Sequence, residues 1–241
     1  MKNIYFIHIN KTSGTSIGLW INTLSGFGVS WGYVSDHDHR KVGDTDWTSS
    51  GHVCAAGHAV YEEGTPGSHD MPTEFHPDVF YFTIVRNPYN RMASHFYSWG
   101  KENLLNRSVK EDLNAFIQKL PQIYETNNTS CVVDTSSWNT DFPMTTLLGP
   151  VSPKFVMPCT FWIKDFAKVK IFKFEEREKM EEYFQQNLGV KSAQKIQEIH
   201  SERTATKKLK SYVHLYTRES LDIINRLFRE DFENFGYEVL W

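Results

Sequence analysis

Apolar residues collect in a few short blocks along the chain, and each block leads into a polar turn followed by apolar positions at helical spacing. Ile4, Tyr5, Phe6, Ile7 and Ile9 form the first block. Val79–Val85 (VFYFTIV) is the second, and such continuous runs suit strands covered on both faces. Val169–Phe174 (VKIFKF) is a third, shorter strand candidate. Between these blocks the period changes from strand to helix. Ile17–Leu24 reads as a short helix ending near Gly26, while residues 28–78, rich in Gly, His, Asp and Ser, read as irregular chain with short elements. Asn87 is placed to cap a helix with Pro88 at its first position, and Tyr89, Met92, Phe96 and Tyr97 give that helix an apolar stripe. A helix from about Glu175 to Leu188 carries Met180, Phe184 and Leu188 on one side and stops at Gly189. A last helix is capped by Thr217, buries Leu221, Ile224, Leu227, Phe228 and Phe235, and ends at Gly236. Strands alternating with helices predict an α/β fold, a central and mainly parallel sheet flanked by helices.

A length of 241 residues fits one domain over residues 1–241. The net charge of −3, from 26 basic and 29 acidic residues, supplies no global field for nucleic acid, so any anion recognition rests on local cations. The three cysteines, Cys54, Cys131 and Cys159, contain no CxxC pair and allow at most one internal disulfide; a reduced protein is the simpler reading. Neither a membrane span nor a signal peptide is apparent, which leads to the expectation of a cytoplasmic enzyme, or of a Golgi lumenal one if the chain is a trimmed piece. The run Asp36, His37, Asp38, His39 offers two histidines or two aspartates on one strand face, an incomplete metal set, and reads as a solvated loop.

The chemistry-bearing segment follows the first strand. Lys11, Thr12, Ser13, Gly14, Thr15 and Ser16 form a small-residue turn at a strand-to-helix junction, where backbone N–H groups point outward and hydroxyls add donors. This is a phosphate cradle with an unusual order. The common nucleotide loop has two glycines four residues apart and then its lysine. Here one glycine is present and the lysine precedes it, placed to reach over a bound anion from the strand side.

A second anion site is expected after the strand at 79–85. Arg86 stands at that strand's carboxyl end, where α/β sheets bind ligands, and Ser94 lies about two turns into the next helix. A guanidinium fork and a hydroxyl suit a phosphate monoester, and Arg91 lies near enough in sequence to join them. The competing reading gives Arg86 and Arg91 only to surface ion pairs. Two anion sites on separate strands match a nucleotide with phosphates at both ends of its ribose.

The segments HINKTSGTSI (8–17) and FTIVRNPYNRMASHFY (82–97) resemble the 5′- and 3′-phosphate-binding segments of sulfotransferases, most of all the carbohydrate group that includes heparan sulfate 2-O-sulfotransferase. That group's loop typically reads Pro-Lys-Thr-Gly-Gly-Thr-Ser; Asn10 and Ser13 stand at its proline and first glycine positions. The likeness covers residues 4–17, 54–61, 80–97 and 169–239, and residues 101–165 carry no family signature. It implies a P-loop-like sulfotransferase fold and the donor 3′-phosphoadenosine 5′-phosphosulfate (PAPS), used without a metal. It implies a hydroxyl acceptor, a sugar or glycan; the charge balance and the lack of a long apolar run lead to the expectation of neither nucleic acid nor membrane as partner. By the same resemblance Lys11 neutralises the leaving oxygen, Thr12, Ser13, Gly14, Thr15 and Ser16 hold the 5′-phosphate, and Arg86 and Ser94 hold the 3′-phosphate. His58, in CAAGHAVY, corresponds to the family's base, with His52 the runner-up. Arg203, Lys207 and Lys208 fall where the family closes over the nucleotide, or belong to a solvated loop. Trp138, Phe142, Phe155 and Trp162 offer rings for a sugar or for the core. A magnesium-dependent kinase-like phosphotransferase and a non-catalytic nucleotide-binding protein are the alternatives.

Overall fold

A computed structural model describes residues 3–21, 23–24, 28–30, 52–56, 75, 77, 79–99, 109–126, 156–163, 165–196, 199 and 213–241. These residues fall into two compact units, and the chain passes back and forth between them. One unit holds residues 1–86 and 161–202, the other residues 87–160 and 203–241.

The first unit is built on a parallel sheet. Its strands are β1 (Asn3–Ile7), β2 (Gly28–Ser30), β3 (His52–Ala56), β4 (Val79–Val85) and β5 (Val169–Lys173), in the spatial order β2-β3-β1-β4-β5. Ile4 pairs with Val53 on one side and Phe80 on the other, so β1 is central. The expected α/β parallel architecture is present, and the short elements expected within residues 28–78 include two strands, β2 and β3. Helix α1 (Gly14–Ile21) follows β1; it starts and ends about three residues earlier than its apolar spacing suggests.

Aromatic rings fill this unit. Phe82 stacks on Phe6 with centroids 4.8 Å apart and meets Phe184 edge-on at 5.1 Å. Trp20 of α1 meets the same Phe184 at 5.2 Å. Phe184 belongs to the helix after β5, which begins with a 3-10 turn at Phe174–Glu176 before its α-helical part, Arg177–Leu188. Met180 and Phe184 are its buried residues, and Gly189 ends it at φ 68°, a left-handed backbone natural to glycine. Trp162, one of the rings offered for a sugar, is buried beside Phe161.

The second unit is helical: α2 (Pro88–Trp99), α3 (Val109–Thr126), the helix after β5 being counted α4, then α5 (Arg218–Leu227) and α6 (Arg229–Phe235). Asn87 Oδ1 accepts from Tyr89 N at 3.1 Å and Asn90 N at 3.4 Å, the expected cap. Thr217 caps α5 through Ser220 N at 3.3 Å. The final helix anticipated as one piece is two, broken at Phe228, whose backbone leaves the helical region at φ −108° and ψ 21° while its ring stays fully buried. Helix α3 buries Leu113, Phe116, Ile117 and Leu120 against Met92, Phe96, Ile224, Phe228 and Phe232. A closed ring of hydrogen bonds pins the chain after α6: Tyr89 O–H donates to Asn225 Oδ1, Asn225 Nδ2 to Leu240 O, and Leu240 N to Tyr89 Oη. Among the described residues no helix is long and apolar enough to cross a membrane.

Candidate active site

The order of the strands decides where a ligand can sit. Chain connections leave β1 toward β2 and leave β4 toward β5, so the topology reverses between the adjacent strands β1 and β4. Ligands of open α/β sheets bind beyond the carboxyl ends of strands at such a point. The two segments found there are the Lys11–Ser16 loop and Arg86.

The loop has a backbone that its sequence does not favour. Lys11 has φ 62° and Ser13 φ 84°, the two positive-φ non-glycine residues among those described. Each such residue costs of order 1–3 kcal/mol and persists only where surroundings over-determine it. Three hydrogen bonds do so here. Thr12 Oγ1 donates to Ile9 O at 2.7 Å, Ile17 N donates to Ser13 O at 2.9 Å, and Arg86 Nη1 donates to Lys11 O at 3.2 Å. Alternating backbone hands gather successive N–H groups into a concave nest suited to an anion. The amides of Gly14, Thr15 and Ser16 precede the first intrahelical bond and extend the nest onto the positive end of α1, whose first turn has no acidic residue.

Side chains divide the work differently from the sequence expectation. Thr12 is fully buried with its hydroxyl turned into the Ile9 carbonyl, so its contribution to a ligand comes through its backbone. Ser16 and Asn10 are buried, while Lys11 and Ser13 are half-buried at the loop surface. Arg86 reaches back to the loop, and its guanidinium lies 4.4 Å from the Phe174 ring centroid. The structure therefore brings Lys11, Thr12, Ser13, Gly14, Thr15, Ser16 and Arg86 together in the first unit.

Ser94 lies on α2 in the second unit, 7% exposed. Arg91 braces the helical unit from within. It is wholly buried, donates from Nη1 to Met157 O at 2.7 Å, and sets its charge against Asp231. Asp231 Oδ2 accepts from Cys159 N at 2.7 Å and Oδ1 from Thr160 N at 2.8 Å. Burial pushes the Asp231 carboxyl above the ordinary carboxylate range, against the pull of Arg91 and these amides. His8 is half-buried with its ring stacked on Phe6 at 5.5 Å. His58, the Asp36–His39 run, Cys131, Trp138, Phe142, Phe155, Arg203, Lys207 and Lys208 lie outside the described residues, and His52 is described in its backbone alone.

Phe174, which sequence reasoning did not single out, lies against Arg86. Its signal is the register: Val85 pairs with Lys173, so the residues after β4 and β5, Arg86 and Phe174, emerge side by side.

A family model described as the sulfotransferase family matches residues 1–238. This chain belongs to the sulfotransferase family. It is an enzyme of sulfuryl transfer, and the loop after β1 is the candidate anion site of the sulfotransferase. No curated protein and no solved structure matches the chain significantly.

The strain at Ser13 gives a direct expectation. Glycine takes φ 84° without steric penalty, so Ser13→Gly should stabilise the sulfotransferase by up to about 1 kcal/mol after glycine's extra unfolded-state entropy. Denaturant unfolding measures it, and a destabilised variant would show that the serine side chain outweighs the strain.

Proposed function

We propose that the sulfotransferase takes its sulfuryl group from PAPS and gives it to a hydroxyl of a carbohydrate, in the manner of the heparan sulfate 2-O-like group. The observation that carries the donor reading is the braced left-handed pair, Lys11 and Ser13, at the topological switch point. The fit to the donor's 5′ end is good, because a nest on a helix N-terminus offers several N–H groups to a phosphate and no competing carboxylate. In this reading Ser13, Gly14, Thr15 and Ser16, with the Thr12 backbone, hold the 5′-phosphate. Arg86 and Ser94 serve the 3′-phosphate.

PAPS, when bound, supplies an activated sulfuryl group. The protein's share is positioning and electrostatics. Lys11, at the strand end of the cradle, neutralises charge arising on the phosphate as its bond to sulfur breaks. His58 takes the proton of the attacking hydroxyl, a role assigned by resemblance and by the fit of imidazole to a base near neutral pH. A sugar acceptor is favoured by the likeness to the carbohydrate group; residues 28–78 and 101–165 are the segments in which acceptor choice is expected to reside.

Thermal unfolding with adenosine 3′,5′-bisphosphate, in the absence of metal, tests the donor. Ligand at about 100 times its dissociation constant adds roughly 2.7 kcal/mol, or a rise of roughly 5–10 °C for a chain of this length. No rise at millimolar nucleotide would sink the reading.

A further inference from the structure

Arg86 has a second role that depends on the ring beneath it. Its Nη1 donates to the Lys11 carbonyl at 3.2 Å while its Cζ sits 4.4 Å from the Phe174 centroid. Arg177, the first residue of α4, places its own Cζ 4.4 Å from the same ring. One aromatic ring thus takes two guanidinium groups, both attracted by the negative charge of its π face. Among the described residues Arg177 makes no salt bridge; Glu175 and Glu178 act on it only at longer range, and its partial burial disfavours its charge.

The consequence follows from the peptide bond. The Lys11–Thr12 peptide is planar and trans, so its C=O and N–H point in opposite directions. Holding the Lys11 oxygen on Arg86 turns the Thr12 N–H to the opposite side. A flip of this one peptide would present a carbonyl oxygen where an amide is wanted, and an anion would meet a like partial charge.

We propose that Phe174, with Arg177 on the same ring, is a positioning residue that holds Arg86 on the Lys11 carbonyl and thereby keeps the Thr12 amide turned toward the 5′-phosphate. This rests on the donor reading above. It adds that Arg86 prepares the 5′ end of the site whether or not a 3′-phosphate is present.

The test uses inorganic pyrophosphate, which has neither a nucleoside to touch Phe174 nor a 3′-phosphate to touch Arg86. Its affinity for the full chain is measured by competition against adenosine 3′,5′-bisphosphate. Phe174→Leu should weaken pyrophosphate about tenfold, the scale of a partly desolvated cation–π contact, while Phe174→Tyr, which keeps the ring face, stays within about twofold. Phe174→Met, an adaptable apolar side chain without a ring, replaces the leucine variant if that one does not fold. Unchanged pyrophosphate affinity in the leucine or methionine variant overturns the proposal, as does a tyrosine variant that loses as much. Wild-type protein that binds the bisphosphate but not pyrophosphate overturns it too. Wild-type protein that binds neither overturns the donor reading itself.

Discussion

Lys11→Ala is expected to lower turnover by about 10²–10³-fold while donor affinity changes only a few-fold. The magnitude follows from charge that exists mainly in the transition state. A unit charge 4 Å from an ammonium in a partly shielded site is worth about 4 kcal/mol at an effective dielectric of 20. Removal of one preorganised electrostatic partner costs a comparable 10²–10³ in rate. Affinity falls less in the proposed reading, which gives the phosphate of the ground state to backbone amides that alanine retains. Lys11→Gly separates the two contributions of this position. It loses the same ammonium but relaxes the φ of 62°, so it should match the alanine variant in turnover and exceed it in stability by up to about 1 kcal/mol. Steady-state turnover and nucleotide titration measure both, and near-normal turnover in the alanine variant would remove Lys11 from the chemistry.

Asp231→Ala is expected to be the most destabilising single change in the helical unit, at about 3–5 kcal/mol. The variant strips the acceptor from two buried amides, Cys159 N and Thr160 N, and leaves the buried Arg91 guanidinium without its countercharge. Domains of this kind are stable by only about 5–15 kcal/mol, so a fall of roughly 10 °C in melting temperature is expected. A pH series adds a sign. Burial raises the folded-state pKa of Asp231, so the folded chain holds a proton that the unfolded chain has already released. Its titration stabilises the fold most below the ordinary carboxylate range, and that contribution is lost as pH rises through the raised value. Measured against the non-titrating Asp231→Asn, the wild-type advantage should therefore shrink with rising pH across that window. A cost below about 1 kcal/mol, or a difference flat in pH, would show that the carboxylate is not the hub described.

How much of this was readable in the chain depended on the kind of signal. β1, β4 and β5 are blocks of large apolar residues, and their burial in a parallel sheet leaves that mark directly. β3 is His52-Val-Cys-Ala-Ala; its residues are small, and it is a strand because Val53 finds Ile4 across the sheet. Helix α3 carries a legible stripe, Leu113, Phe116, Ile117 and Leu120, but Pro121 lies within it and reads as a breaker. The division between α5 and α6 left no trace, because Phe228 fits the apolar stripe of an unbroken helix as well as it fits the break.

The loop could be read as a candidate anion cradle from its small residues and position. Its hand could not: serine and lysine give no warning of φ 84° and 62°, which tertiary hydrogen bonds impose. The same limit hid the work of the two arginines. Arg86 and Arg91 look alike in sequence, yet one is directed to a backbone carbonyl of the cradle and the other is enclosed with Asp231.

The interleaving of the two units governs how this chain must fold. Neither unit is a contiguous stretch: the sheet needs β5, from residues 169–173, and the helical unit needs α5 and α6 from the last part of the chain. Parallel pairs such as Ile4 with Phe80 and Tyr81 with Val169 bring together residues far apart in sequence, the high-contact-order regime in which folding slows toward milliseconds to seconds. No single cut can release either unit intact. During synthesis β4 waits, partnered by β1 alone, until β5 arrives from beyond residue 160, and the chain is most exposed to misassociation in that interval.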